Sequence, residues 1–361
     1  VADQRRLARF IHLPASPARR ALFLGLYLLF CLGLLALAQS LYWRIRAGVP
    51  LGQKPDVWDH FYPELRSGGL REARLEPGDG SFDLLLLGGS VLERYWGSIE
   101  QRLAERLEGQ LPGRFRLFNL ARSAFTSRDS LLLYRQLEGK HFDLVVVYDG
   151  INDARMNCCP PQAFRDDYTH CNWYKSIEAR ARAGTVTLPQ IVADQVAMVS
   201  EAIDWGAPDG ALREYAAEPQ SDRALRANHA ELLALARRRG DTLLLLTFAC
   251  HLPQDYSRER FEAGQLDYAY LPDGRSCGAE LWGKPEYVRR AVDLQNAQIR
   301  LLAEQNPRAL FFDQDRALPK GATWFVDPCH LTDEGCRRFA ENVWPLIRAQ
   351  IEAWGKRPHA P

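Results

Sequence analysis

The sequence carries almost no net charge: 46 Lys and Arg stand against 45 Asp and Glu, leaving +1 over 361 residues. That balance argues against a nucleic-acid binder, which carries a basic face. Lysine is scarce, with Lys54, Lys140, Lys175, Lys284, Lys320 and Lys356 the whole complement. No internal repeat is apparent. A mean hydropathy of −0.30 excludes a polytopic membrane protein, but it leaves room for one membrane helix. What is present is ordinary for a packed globular core, with 47% hydrophobic and 25% charged residues.

Charge is also absent from one long stretch. From Ala21 to Trp43 no residue is charged over 23 positions. At about 1.5 Å per residue such a helix reaches roughly 35 Å, enough to cross a hydrocarbon core of about 30 Å. Tyr42 and Trp43 then lie where an interfacial aromatic belt belongs. Ala36-Leu37-Ala38 has the form of a signal-peptidase site, but the apolar run exceeds a signal h-region, which favours an uncleaved anchor. Arg5, Arg6, Arg9, Arg19 and Arg20 precede the run, and Arg44, Arg46 and Lys54 follow it. The positive-inside rule then predicts a single-pass anchor. Its N-terminal side is cytoplasmic and the rest of the chain extracytoplasmic, periplasmic in a Gram-negative cell.

An exported domain permits disulfides. Seven cysteines follow the membrane segment, an odd number that leaves at least one unpaired within the chain. Cys250 and Cys277 bracket a loop whose closure by a bridge would be worth about 3 kcal/mol in the chain-entropy picture. Cys158, Cys159, His170 and Cys171 invite a zinc reading, but C-x-x-C spacing is lacking and burial or a disulfide is the simpler expectation. Neither a metal nor a cofactor is expected.

The chain divides into a cytoplasmic tail at 1–20, a membrane helix at 21–43, a Pro-, Gly- and charge-rich stalk at 44–80 and a catalytic domain at 81–355. Within the domain, apolar runs alternate with helical patterns. Strands are expected at Phe82–Leu87, Phe115–Asn119, Asp143–Tyr148, Thr242–Phe248 and Ala309–Asp313. Helices are expected from Val91 to about Leu111, and at Ser127–Leu137, Pro189–Trp205, Ser221–Arg239, Pro285–Gln305 and Thr332–Trp354. Strands that are apolar throughout imply a parallel sheet covered on both faces. Irregular insertions fall near 154–185 and 251–283.

In such a sheet the reactive groups sit at the carboxyl ends of the strands. Four segments mark those places: Gly88-Gly89-Ser90, Asn119 through Thr126, Gly150-Ile151-Asn152-Asp153 and Asp327-Pro328-Cys329-His330. Each has a bland reading alone. Ser90 with Glu93 can form a helix capping box, the asparagines can be loop residues, and Asp327 and His330 can make a surface turn. Together they place a serine, a histidine with an aspartate three residues earlier, and an asparagine around one sheet edge. A serine hydroxyl needs an adjacent base to become a nucleophile, the base needs a carboxylate, and the oxyanion needs fixed donors.

This set resembles the SGNH hydrolase superfamily, the GDSL-type esterases, over roughly Phe82 to Trp354. Gly150-Ile151-Asn152-Asp153 is similar to that family's G-x-N-D block, and Asp327-Pro328-Cys329-His330 to its D-x-x-H block. Two departures stand out: Gly89 occupies the place of the GDSL aspartate, and Ala124 that of the second-block glycine. The resemblance implies a flavodoxin-like three-layer sandwich with a central parallel five-stranded sheet. It implies Ser90 as nucleophile, His330 as base and Asp327 as its orienting carboxylate. Its oxyanion hole would comprise the N–H groups of Ser90 and Ala124 and the Asn152 amide, with Ala124 serving where the local φ permits. Cys329, beside His330, is read as a packed or bridged residue, and His141, His170 and His251 as structural or surface residues.

The insertions carry Arg155, Tyr168, Trp173 and Tyr174, and Tyr256, Arg258, Arg260, Phe261, Tyr268, Tyr270 and Trp282, which either bind a sugar or anion or pack onto the core. The expected activity is a membrane-anchored serine esterase acting on an acylated glycan or lipid of the cell envelope, with acetyl the simplest acyl group. An O-acyltransferase with the same triad and a non-catalytic envelope-assembly protein are the alternatives. The sequence leaves the oligomeric state open.

Overall fold

The structure, a computed structural model, describes residues 17–201, 210–271 and 274–356. Five apolar runs form strands β1 (Phe82–Gly88), β2 (Phe115–Asn119), β3 (Leu144–Tyr148), β4 (Leu243–Leu246) and β5 (Leu310–Phe312). They build one parallel sheet in the order β2-β1-β3-β4-β5. This is the flavodoxin-like arrangement, whose strand order reverses between β1 and β3.

Alternate strand residues enter two separate cores. Leu85, Leu87, Val145, Val147, Leu243 and Leu245 pack on one face. Leu84, Leu86, Val146, Tyr148, Leu244 and Leu246 pack on the other. Two helices supply much of the first face: α5 (Ser127–Arg135), through Leu131 and Leu132, and α9 (Ser221–Arg239), through Leu225 and Leu232. The second face is covered by α4 (Ile99–Gln110) and α11 (Asp333–Trp354). Helix α10 (Pro285–Gln305) reaches both cores, Val288 and Val292 lying in the second and Ile299 and Leu302 in the first.

Boundaries shift modestly from expectation. The helix expected from Val91 is a short 3-10 turn, Ser90–Leu92, followed after a loop by α4. The helix expected at Pro189–Trp205 is α8 (Leu188–Glu201), and its last four expected residues lie outside the described residues. Between them, α6 (Ile151–Arg155) and α7 (Asn172–Ala183) shape the first insertion.

Helix α1 runs from Pro17 to Ala47. Its Arg20–Ala47 portion is long and apolar enough to cross a membrane, with a mean hydropathy of 2.5 over its most apolar 18-residue window, no residue of which is buried. The expected tail falls almost wholly outside the described residues.

The segment after α1 differs from the expected stalk. It folds into α2 (Val57–Phe61) and α3 (Glu64–Ser67) and joins the first core through Val49, Phe61, Tyr62, Leu65, Leu70 and Leu75, alongside Trp43 at the end of α1, which is buried in that core and not placed in an interfacial belt. Its charges are not solvated markers of a linker. The buried Asp59 carboxylate pairs with Arg66 at 3.2 Å and Arg71 at 3.4 Å, and Tyr62 donates to Asp129 at 2.9 Å. Composition resembled a linker because the apolar anchors are spaced singly between these paired charges.

Candidate active site

The reversal of strand order between β1 and β3 opens a crevice at their carboxyl ends, and the serine and asparagine segments both lie there. Gly88 ends β1 with φ +156, and a Cβ at this position would come within 2.4 Å of the Tyr148 carbonyl oxygen. Only glycine lets the two strands meet so closely before the turn. Ser90 opens the 3-10 turn with Gly89 as its N-cap, and Glu93 makes no capping box. Glu93 accepts hydrogen bonds from the N–H and hydroxyl of Ser123 instead.

Ser90 Oγ lies 2.7 Å from His330 Nε2. His330 Nδ1 lies 2.6 Å from Asp327 Oδ2. The carboxylate also accepts from the backbone N–H groups of Cys277 at 2.8 Å, Cys329 at 2.9 Å and His330 at 2.7 Å. Burial alone would raise the Asp327 carboxyl, but the imidazole and these donors outweigh it and hold the group below the usual range. The loop is fixed by a Phe325–Leu331 bridge and by Thr332, which caps α11 by accepting from Gly335 N–H. Ser90 is 6% exposed and His330 2% exposed. A hydroxyl on an imidazole, itself on a carboxylate, can pass a proton from serine to histidine while holding the imidazole in one tautomer.

Asn152, the second residue of α6, donates from Nδ2 to the Phe125 carbonyl at 2.8 Å. Its Oδ1 accepts from Trp282 Nε1 at 2.9 Å. The indole therefore selects the amide orientation, and the second Nδ2 hydrogen remains for another acceptor. Gly89 is explained by the same amide. A Cβ there would lie 2.7 Å from Asn152 Nδ2 and 3.3 Å from the Phe125 carbonyl oxygen, so a side chain at this position would displace this donor.

Ala124 has φ +66, the left-handed conformation that a glycine would adopt freely. The loop around it is tied down on both sides. Asn119 Nδ2 donates to Leu92 O at 2.7 Å and to Glu100 at 2.8 Å. Thr126 caps α5 in a capping box with Asp129. Asp153 then joins the second and third segments, accepting from Ser127 N–H at 3.0 Å, Ser127 Oγ at 2.5 Å and Tyr168 OH at 2.7 Å. Burial, with Asp149 nearby, pushes its carboxyl up to about 7.

Trp96, which sequence reasoning missed, stacks on His330 with ring centroids 3.7 Å apart and planes within 11°. No spacing rule links a residue six positions after Ser90 to a histidine near the end of the chain. Trp282 was expected only as a loop aromatic that binds a ligand or packs. It is 2% exposed and orients Asn152. Most insertion aromatics turn inward: Trp173 and Tyr174 donate to Asp129, Tyr168 to Asp153, and Tyr268 to the His251 carbonyl. Tyr270, at 84% exposed, faces outward.

Cys250 and Cys277 are not joined, so the expected Cys250–Cys277 bridge is not formed. Burial pushes both thiols up to about 12. Cys329 is fully buried, and burial with the Asp327 charge raises it well above the usual thiol range, which disfavours it as a rival nucleophile. The Cys158, Cys159, His170 and Cys171 set does not converge on a metal position. Cys159 Sγ, His170 Nε2 and Cys171 Sγ all contact Met156, whereas Cys158 contacts the Trp282 carbonyl. Among the described residues, the side chains spaced to hold a metal ion are Cys277, Asp327 and His330. Two of these already hold each other in the Ser90 relay.

No family model matches the chain, and no curated protein matches it. Among solved structures it is similar to a GDSL-like lipase from Bacteroides thetaiotaomicron, at 16% identity over 81% of this chain and 99% of that one, with a TM-score of 0.44. It is similar to an acetyl xylan esterase, AlAXEase, at 15% identity over 74% and 100% of the two chains, with a TM-score of 0.41. It is also similar to a variant of an acetyl xylan esterase from Geobacillus stearothermophilus, at 14% identity over 76% and 97%, with a TM-score of 0.39.

Proposed function

We propose that this chain is a serine ester hydrolase of the SGNH type, anchored to a membrane by α1, that removes an acyl group from a cell-envelope glycan or lipid through an acyl-Ser90 intermediate. The observation that carries the reading is the continuous Ser90–His330–Asp327 relay, with contacts of 2.7 and 2.6 Å. As Ser90 Oγ bonds to the ester carbonyl carbon, its proton passes to His330 Nε2, and Asp327 stabilises the imidazolium. The oxyanion accepts from the N–H groups of Ser90 and Ala124 and from the free Asn152 amide hydrogen. Collapse expels the alcohol, which takes the proton from His330. Water then attacks the acyl-serine by the same route and releases the acid.

The envelope substrate rests on topology. Five arginines before the apolar run and three basic residues after it favour an extracytoplasmic domain, where acylated glycans and lipids are exposed. Acetyl is the simplest acyl group for a nucleophile this enclosed.

Covalent labelling of Ser90 by a fluorophosphonate, read by mass spectrometry, tests the nucleophile. Absence of label from folded protein would end the reading. Asn152→Ala should lower kcat by roughly a hundredfold with little change in KM, as loss of one oxyanion donor does. Product analysis with and without an acceptor sugar then distinguishes release to water from transfer. An exported-phosphatase fusion after Pro361 should be active, and an inactive one would move the substrate to the cytoplasm.

A further inference from the structure

We infer that Trp96 is a positioning residue for His330, and that its indole face holds the imidazole through both half-reactions; this rests on the reading of Ser90, His330 and Asp327 as a catalytic triad. His330 has two in-plane partners, Ser90 at Nε2 and Asp327 at Nδ1. Two such bonds leave the ring free to tilt about the line between them. A second ring lying parallel at 3.7 Å, with an 11° angle between planes, removes that freedom. A π face also attracts a cation lying over it. The imidazolium that forms as Ser90 loses its proton therefore gains more from the indole than the neutral ring does.

The indole is itself held, as a positioning group must be. Trp96 Nε1 donates to Ser123 Oγ at 2.8 Å. Ser123 is fixed in turn by Glu93, which also pairs with Arg122 at 3.3 Å. On the other side of Trp96, a Cβ at Gly97 would lie 2.7 Å from Cys336 Sγ, so the loop is drawn tightly against α11. Arg275 reaches across from the second insertion, donating to the Tyr95 carbonyl and lying 5.1 Å over the Tyr95 ring. The loop thus ties the base to Ser123, the neighbour of Ala124 on the oxyanion side.

The test compares Trp96→Leu, Trp96→Phe and Ser123→Ala with the wild type on one short-chain ester, together with the rate of Ser90 labelling by a fluorophosphonate. Trp96→Leu fills much of the space without a π face and should lower kcat by about tenfold while KM stays within about twofold. Trp96→Phe keeps a face and should recover most of that loss. Labelling rates should follow the same order, because the probe needs the same base. A Leu variant as fast as wild type, or equal to the Phe variant, would overturn the proposal. So would a rise in KM at constant kcat, which would make Trp96 a substrate contact.

If the Leu variant does not fold, Ser123→Ala carries the test, since it leaves the indole in place but unties it. It should lower kcat by about threefold with KM unchanged, and no change would overturn the proposal. A wild type that takes no label at Ser90 would instead overturn the triad reading, and the two failures are separate.

Discussion

Asp327 and His330 form a buried carboxylate–imidazole pair with a serine hydroxyl alongside, and so do Asp149 and His229. In the first set the order is hydroxyl, imidazole, carboxylate: Ser90 Oγ meets His330 Nε2, and Nδ1 meets Asp327. In the second the order is hydroxyl, carboxylate, imidazole: Ser130 donates to Asp149 Oδ1 at 2.8 Å, and His229 Nε2 meets Oδ2 at 2.9 Å. Nδ1 of His229 is buried without a hydrogen-bond partner. The composition is the same and the chemistry is not. Ser90 can give its proton to a base that is itself supported, whereas Ser130 faces a carboxylate already shared with histidine and is 1% exposed. The first set can run acyl transfer, and the second pins α5 and α9 to the end of β3.

The largest expected effect breaks the first set. Ser90→Ala, His330→Ala and the double variant should each lose on the order of a thousandfold or more in kcat/KM, and the double should lose no more than either single. Ser130→Ala should stay within about threefold of wild type. Steady-state assays on a chromogenic ester decide it; comparable losses at Ser90 and Ser130 would erase the distinction.

The second set should answer to denaturant instead. His229→Ala leaves Asp149 buried without its imidazole partner and should cost about 3 kcal/mol or more of unfolding free energy, read from urea titrations. The folded variant should keep most of its kcat. A tenfold loss of kcat at unchanged stability would mean the second pair also serves the site.

A smaller effect lies on the loop that carries Ala124. A left-handed φ costs an L-residue roughly 1–2 kcal/mol, and glycine returns part of that relief as unfolded-state entropy. Ala124→Gly should therefore stabilise the protein by about 0.5–1 kcal/mol with activity retained, checked by thermal melting and kcat. A destabilised variant would show that the alanine methyl contributes packing that outweighs the strain.

The subtlest effect concerns a third histidine. Burial would lower His141, but Asp143 and Asp241 outweigh it and raise the group to about 9. A folded value above the unfolded 6.5 contributes stability that is complete below about pH 6.5 and fades as pH rises through about 9. Urea midpoints measured from pH 6 to pH 10 should fall across that window, and His141→Gln should flatten the slope. An unchanged slope in the variant would assign the pH dependence elsewhere.

Much of this arrangement is legible along the chain because it is local. A buried parallel strand must be apolar on both faces, so Phe82–Gly88 and Leu144–Tyr148 announce themselves as unbroken runs. Asp327 and His330 share one turn, and Gly150 precedes Asn152 at the start of a helix. By themselves these signals determined a doubly covered parallel sheet, one apolar helix of membrane length, and the residues gathered at the strand ends. The tertiary structure decided what depends on distant approach. Ser90 meets His330 across 240 positions only because the sheet order brings the two loops to one crevice. The same approach requires Gly89 beside Asn152, lays Trp96 on His330, and turns the insertion tyrosines onto buried carboxylates. It also decided that residues 44–80 pack onto the domain, since apolar anchors set singly among charges reveal themselves only when Arg66 and Arg71 reach Asp59. Spacing encodes the periodicity of one element; contacts between elements depend on a surface that no single segment contains.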